Sequence, residues 1–320
     1  MATNESHSED ASPPNGNSKP LGPWLSTILG TVVGSAFLLG GYLLVVGKHD
    51  SYAVVMFLLV PFVSGFAIAA VTRDSVLVAA CCMTTCIFTF AFFIVVGLEG
   101  YICCIMALPL FLSGMVIGAV IGYFVRGRFL DLSPSTQRNK TLLMLAAPVL
   151  LISANQIEKP LRSAQRVETF ESSIEVSATP DETWKRLVRM PSMDGDKPFL
   201  LQIGLPVPDH CTMDGDAVGA RRVCHFNQGI IAQEVTDWQF PNRMAVKTTE
   251  STLPGRHWLT FMNAEYELRK TQTGTLVVRR TSIGSKLYPR WYWRPFEAWG
   301  VESEHTFVLT SLKHAVESRE

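Results

Sequence analysis

Formal charge is scarce in the first part of this chain. Between Leu21 and Val125 only Lys48, Asp50, Arg73, Asp74 and Glu99 carry it, each at a break between apolar runs. Four uncharged segments remain, Trp24 to Val46, Tyr52 to Val71, Val76 to Gly97 and Tyr101 to Val125. Each is near or above the ~20 residues a helix needs to cross ~30 Å of hydrocarbon. Helices in soluble cores rarely lack a polar face altogether, so these segments predict membrane spans. None of them contains Asp, Glu, Lys, Arg or His. The usual marks of a proton relay or an ion pathway are therefore missing, which argues against a transporter or channel.

Other absences narrow the field further. The 28 basic residues are matched by 28 acidic ones, so no global field attracts a polyanion. Cys81, Cys82, Cys86, Cys103 and Cys104 lie in apolar runs without histidine or polar company, and are expected to be small packing residues rather than metal ligands. There is no glycine-rich phosphate loop, no nucleophile elbow and no zinc spacing. The leading "MATNESHSEDASPPNGNSKP" lacks the basic start of a cleaved signal and predicts a disordered polar tail over residues 1–22.

A fifth apolar run, Thr141 to Ala154, is short for a span unless Asn139 to Ile157 all count. The alternative is a juxtamembrane helix broken at Pro148. Residues 23–157 thus predict a transmembrane region of four or five helices. Arg126, Arg128, Arg138 and Lys140 cluster after the fourth run, Arg73 follows the second and Lys19 precedes the first. By the bias of basic residues, the N-terminus is expected in the cytoplasm. Five spans then put the C-terminal half outside the cytoplasm, the placement expected here, and four put it inside. Gly30 and Gly34, and Gly114, Gly118 and Gly122, recur every four residues, the spacing of a helix packing seam.

From Glu158 to Glu320 the texture changes, with 21 basic and 21 acidic residues, enough chain for one domain with its own core that folds without its anchor. Phe170, Ser172, Ile174 and Val176 alternate as in a strand. In "TPDETWKRL", Thr179 is an N-cap, Pro180 opens the helix, Glu182 completes a capping box, and Trp184 and Leu187 face inward. Six strand-like segments follow, parted by "DGDAVG", "NQG", "FPNR" and "TQTG", an antiparallel meander. After Pro289 a long helix runs to the end, with Phe296, Trp299, Phe307, Leu309, Leu312 and Val316 on one broad face.

Strand, "SATPDETWKRL", the meander with "GARRVCHFNQGIIAQEVTDWQFPNRMAV" and the closing "LYPRWYWRPFEAWGVESEHTFVLTSLKHAV" resemble the START-like or SRPBCC superfamily, which includes polyketide cyclases and lipid-transfer domains. The resemblance covers about Val167 to Val316 and lies in pattern and order. It implies an α+β helix-grip domain over residues 158–320, in which a curved antiparallel sheet grips the C-terminal helix around an apolar cavity. Joined to the α-helical transmembrane bundle, that is the expected fold.

The stretch "RWYWRPFEAWG" admits several roles. A nucleic-acid platform would want a basic groove, which is absent. A membrane-surface belt stays open, as does the inner face of the gripped helix, where Trp293, Phe296 and Trp299 either fill the core or line the cavity. Trp184 and His305 join them as cavity candidates.

As acid–base candidates there are His210, His225, His257 and His305, with Asp209, Asp214, Asp216 and Glu304 as partners, none in a recognised catalytic motif. The "DGD" triplets at Asp194 and Asp214 lack the rest of a calcium loop and predict turns. Cys211 and Cys224 sit on neighbouring strands of one hairpin, and in an oxidising compartment they are a possible disulfide. The expectation is a membrane-anchored domain that binds a hydrophobic small molecule or lipid, with the bilayer and that ligand as partners and no cofactor, metal or nucleic acid. A cyclase- or hydrolase-type enzyme and a structural or signalling domain with a filled core are the alternatives.

Overall fold

The computed structural model describes residues 23–49, 54–72, 74–96, 100–126, 136–158, 166–256 and 258–318. The tail expected over 1–22, and with it Arg73, Arg128 and His257, lies outside the described residues. Five helices come first: α1 (Pro23–His49), α2 (Val60–Val71, entered through a π-helical turn Val55–Leu59), α3 (Ser75–Val95), α4 (Tyr101–Val125) and α5 (Thr136–Glu158). Three of them, α1, α3 and α4, are long and apolar enough to cross a membrane.

Small residues let α2 and α4 meet closely. A Cβ at Gly118 would stand 2.0 Å from the Phe62 carbonyl oxygen, and one at Gly65 would stand 2.1 Å from that of Met115. Any larger side chain at either position forces the helices apart, so the glycine spacing is a packing seam. Cys81, Cys82, Cys86 and Cys104 are buried in this bundle. The helix ends are tied by charge. Asp74 accepts from the amides of Val76 and Leu77 at the start of α3, and Arg126 donates to the Ala69 and Thr72 carbonyls at the end of α2.

Helix α5 continues through Pro148, so the break that the alternative reading placed there does not occur. Glycine and proline are tolerated in such helices because neighbouring groups satisfy the freed backbone. Its terminal Glu158 accepts from the amides of Val54 and Val55, at 2.8 and 3.2 Å, across the start of α2. The end of α5 therefore lies level with the start of α2.

The second half is an α+β domain. One antiparallel sheet of seven strands has the order β1-β7-β6-β5-β4-β3-β2, built from β1 (Arg166–Val176), β2 (Pro208–Met213), β3 (Arg221–Phe226), β4 (Gly229–Gln239), β5 (Arg243–Ser251), β6 (Leu259–Lys270) and β7 (Thr275–Ser285). Helix α6 (Pro180–Val188) forms behind the expected capping box: Thr179 Oγ1 accepts from the Glu182 amide, and Glu182 accepts from the Thr179 amide. One-turn α7 (Phe199–Gln202), which no sequence signal marked, follows, and α8 (Arg290–Glu317) closes the chain.

A flat sheet of this width would span about 29 Å at ~4.8 Å per strand. Val176 of β1 and Cys211 of β2, at opposite edges, nevertheless share one core with Phe307, Val308 and Leu312 of α8. The sheet therefore curls around the helix, which is the helix grip. Irregularities in the β4–β5 and β6–β7 pairings supply local bends. A second core, in the bundle, includes Leu287 and Trp293 from the α+β half. The two halves are packed together.

Candidate functional site

Where the halves meet there is a cavity of about 110 Å³. Most of its walls come from four places. The start of α4 supplies Ile102, Cys103 and Met106, and the segment before β2 supplies Leu205 and Pro206. The β5–β6 connection gives Leu253, Pro254 and Trp258, and α8 gives Trp293, Phe296, Gly300 and Val301. The lining is dominated by apolar side chains, with Glu297 and Glu304 as its carboxylates.

Both carboxylates are already engaged. Glu297 is held by Arg166 and accepts from Ser285 Oγ at 2.5 Å. Burial raises its pKa above the usual carboxylate range, against the opposing pull of Ser285 and Arg166. Glu304 pairs with Arg279 at 2.9 Å. Burial works against the Arg279 charge, yet Glu304 and Tyr266 outweigh it and its pKa lies above the ordinary arginine value.

A smaller chamber of about 30 Å³ adjoins the cavity, and Phe226, Phe261 and Glu304 line both. Its lining is mixed and more polar than the cavity's, with Arg222, Gln233, Thr248 and Arg279 among apolar side chains such as Met193, Ile231 and Val308. Sheet register places them: Arg222 pairs with Gln233 across β3 and β4, and Tyr266 pairs with Arg279 across β6 and β7.

The expected cavity residues separate. Trp293 and Phe296 line the cavity, Trp293 also standing against the bundle with its ring 4.8 Å from that of Phe57. Trp184 is buried elsewhere, packed edge-on against Trp238 and Phe240. Trp299 does not join the inward face but is 44% exposed and stacked on Phe199. The phase of α8 explains this. Its inward stripe is Trp293, Glu297, Val301, Glu304 and Val308, and Trp299, two residues past Glu297, points about 200° away. A reading by hydrophobicity misplaces the stripe because two of its members are glutamates.

His305 is fully buried but faces the sheet, between Ser172 Oγ at 3.0 Å and Thr281 Oγ1 at 2.7 Å, and does not line the cavity. Burial, and after it the Arg279 charge, holds its pKa down at about 2, so the imidazole is neutral. His210 and His225 stack on each other at 4.3 Å, with Asp209 beside His210. Neither lines the cavity. Asp214 accepts from the Arg221 amide and Asp216 pairs with Arg189, so both serve the β2–β3 hairpin. Among the described residues no group of three His, Cys, Asp or Glu is placed to hold a metal ion.

No protein-family model matches the chain, and no curated protein sequence does. Several solved structures are similar to it at low identity. Ara h 8.0201 is 12% identical, with 48% of this chain and 100% of that one covered and a TM-score of 0.35. Norcoclaurine synthase from Thalictrum flavum, in complex with dopamine and hydroxybenzaldehyde, is 14% identical over 50% of this chain and 92% of that one, with a TM-score of 0.34. The Zhui aromatase/cyclase from Streptomyces sp. R1128 is 16% identical over 48% and 96%, with a TM-score of 0.35. Likenesses at this level say nothing of what this chain binds. The helix grip stands on its own strand order.

Sequence reasoning missed Arg222 and Arg279. A signal was present: Arg222 shares its strand face with Cys224 and Phe226, and Arg279 shares its own with Val277, Thr281 and Ile283. The doublets Arg221–Arg222 and Arg279–Arg280 hide this, because one member of each points outward.

Cys211 and Cys224 are paired in register and joined by a disulfide, with their Cα atoms 4.1 Å apart.

Proposed function

We propose that this chain is a membrane-anchored binding module that takes a small hydrophobic molecule from the bilayer into the cavity at the junction of its two halves. One observation carries the reading: the apolar cavity is walled jointly by the start of α4 and by the gripped helix α8. An apolar solute dissolved in the membrane would meet this opening without crossing water. Volume limits the guest. An engineered cavity of ~150 Å³ binds benzene, so ~110 Å³ suits a single ring or a short acyl segment rather than a whole diacyl lipid. Binding is favoured over catalysis because the two carboxylates on the wall are tied to Arg166, Ser285 and Arg279.

The same reading includes sidedness. Helix α5 has 23 residues, about 35 Å of helix at 1.5 Å per residue, and its end bonds to the start of α2. Both features support a fifth crossing and an extracytoplasmic α+β domain, where a disulfide is stable.

The test is mass spectrometry of small molecules that co-purify with the full chain in mild detergent, alongside the variant Gly300→Phe. A Cβ at Gly300 meets nothing within 4 Å, so the variant can place its ring in the cavity without displacing backbone. The expected result is an apolar compound near one per chain in the wild type and absent from the variant. Equal recovery from both, or none from either, overturns the reading.

A further inference from the structure

The smaller chamber contains a charge imbalance. Arg222 and Arg279 are 2% and 6% exposed, and among the described residues Glu304 is the one carboxylate on its wall. Glu304 pairs with Arg279. Arg222 donates to the neutral Gln233 at 3.0 Å, and among the described residues no carboxylate lies within salt-bridge distance of it. Both guanidiniums stand over the Tyr266 ring, that of Arg222 at 5.7 Å and that of Arg279 at 5.3 Å from its centroid. The π face softens the charge but does not neutralise it.

Several donors there also lack acceptors. Arg222 Nε, Arg279 Nε, Arg279 Nη1 and Thr248 Oγ1 are buried without a hydrogen-bond partner, against a single unpartnered acceptor atom, Glu304 Oε2, on the same wall. Buried polar groups are nearly always satisfied, and a buried charge is strongly unfavourable unless paired. One net positive charge with several idle donors, in an enclosed chamber, is built to receive an oxygen anion.

We infer that the ligand is an amphiphile with a small acidic head, a carboxylate, held by Arg222 and Arg279, while its apolar body lies in the adjoining cavity toward α4. Phe226, Phe261 and Glu304 line both spaces, so a head bound in one lies next to the other. Size selects the head. A buried water needs about 10–15 Å³, so about 30 Å³ holds roughly two oxygen atoms, a carboxylate rather than a phosphate with its further oxygens. Charge agrees, since one negative charge balances the surplus.

This assignment rests on the cavity being a binding site, and the experiment separates the two. The full chain in lipid nanodiscs is titrated with radiolabelled 4-phenylbutanoate and, separately, 4-phenylbutanol, with empty nanodiscs subtracted. The acid should bind about tenfold or more tightly than the alcohol. Arg222→Gln should abolish that preference without changing the alcohol, and Arg222→Lys, which keeps the charge, should retain most of it. Equal wild-type affinities for acid and alcohol overturn the acidic-head assignment and leave the cavity reading standing. So does an Arg222→Gln variant that weakens both compounds alike or leaves the acid preference intact. Binding of neither compound sinks both. The wild-type comparison decides even where a variant fails to fold.

Discussion

The indole of Trp293, on α8 of the α+β domain, lies 4.8 Å from the ring of Phe57 in the helical bundle. One residue earlier, Tyr292 Oη donates to the Met106 carbonyl oxygen at 2.5 Å. The helix that the sheet grips therefore also docks on the helical bundle, and the cavity is walled by both halves together.

Residues 158–320 produced alone should keep their own core around Val176, Leu187 and Phe307 but expose Leu287 and Trp293, which the bundle covers. The expected outcome is a folded domain that self-associates in sedimentation velocity, where the sequence alone suggests a soluble, cooperatively unfolding one. In the full chain, Trp293→Ala should cost about 3–5 kcal/mol. A monodisperse isolated domain would show that the contact between the halves contributes little.

Gly300 sits inside α8, where glycine is less favourable than alanine by about 1 kcal/mol. A Cβ there meets no atom within 4 Å. Gly300→Ala should therefore raise stability by about 1 kcal/mol, read as a higher thermal midpoint. A lower midpoint would mean the space around Gly300 is smaller than it stands here.

His305 predicts an acid-sensitive fold. Its folded pKa is about 2 against an unfolded value of 6.5. Below pH ~6.5 the unfolded chain takes up a proton that the folded chain refuses, so stability falls as pH falls and is unaffected by this group above that point. Between pH 7.5 and 5 the loss from this group is about 2 kcal/mol. Glu297, whose folded pKa is raised, works in the opposite direction. The difference between wild type and His305→Gln isolates the histidine: the variant should lose about 2 kcal/mol less over this range. Parallel profiles would count against a buried neutral imidazole.

The Cys211–Cys224 bond closes a short loop with a sequence separation of 13. Replacing both by alanine should cost about 3 kcal/mol. Without reductant, neither thiol should react with an alkylating reagent in the unfolded chain. Reporter fusions after Leu130 and after Glu320 should fall on opposite sides of the membrane. The same side for both would remove the fifth crossing.

Much of this architecture was legible locally. Uncharged runs mark α1 to α4 because hydrocarbon excludes charge wherever the chain lies in it. Thr179, Pro180 and Glu182 mark the start of α6 because a helix leaves its first amides unpaired. Turn residues part the strands, so β2 to β7 lie close to where the alternation puts them. α5 was ambiguous because Thr136 to Lys140 are polar, and its full length is visible only in the helix itself.

The site was much less legible. The amino-acid sequence by itself determined an uncharged helical half, a strand-rich half, their order and the residues able to cap, turn or pair within a few positions of one another, since those signals act through the local backbone. Only the tertiary structure decided that Trp293 faces Phe57, that Trp299 points away, that Met106 and Leu253 share a wall, and that Arg222 and Arg279 look into one chamber. The phase of α8 and the register of four strands set these relations, and both come from burying surfaces far apart in the chain.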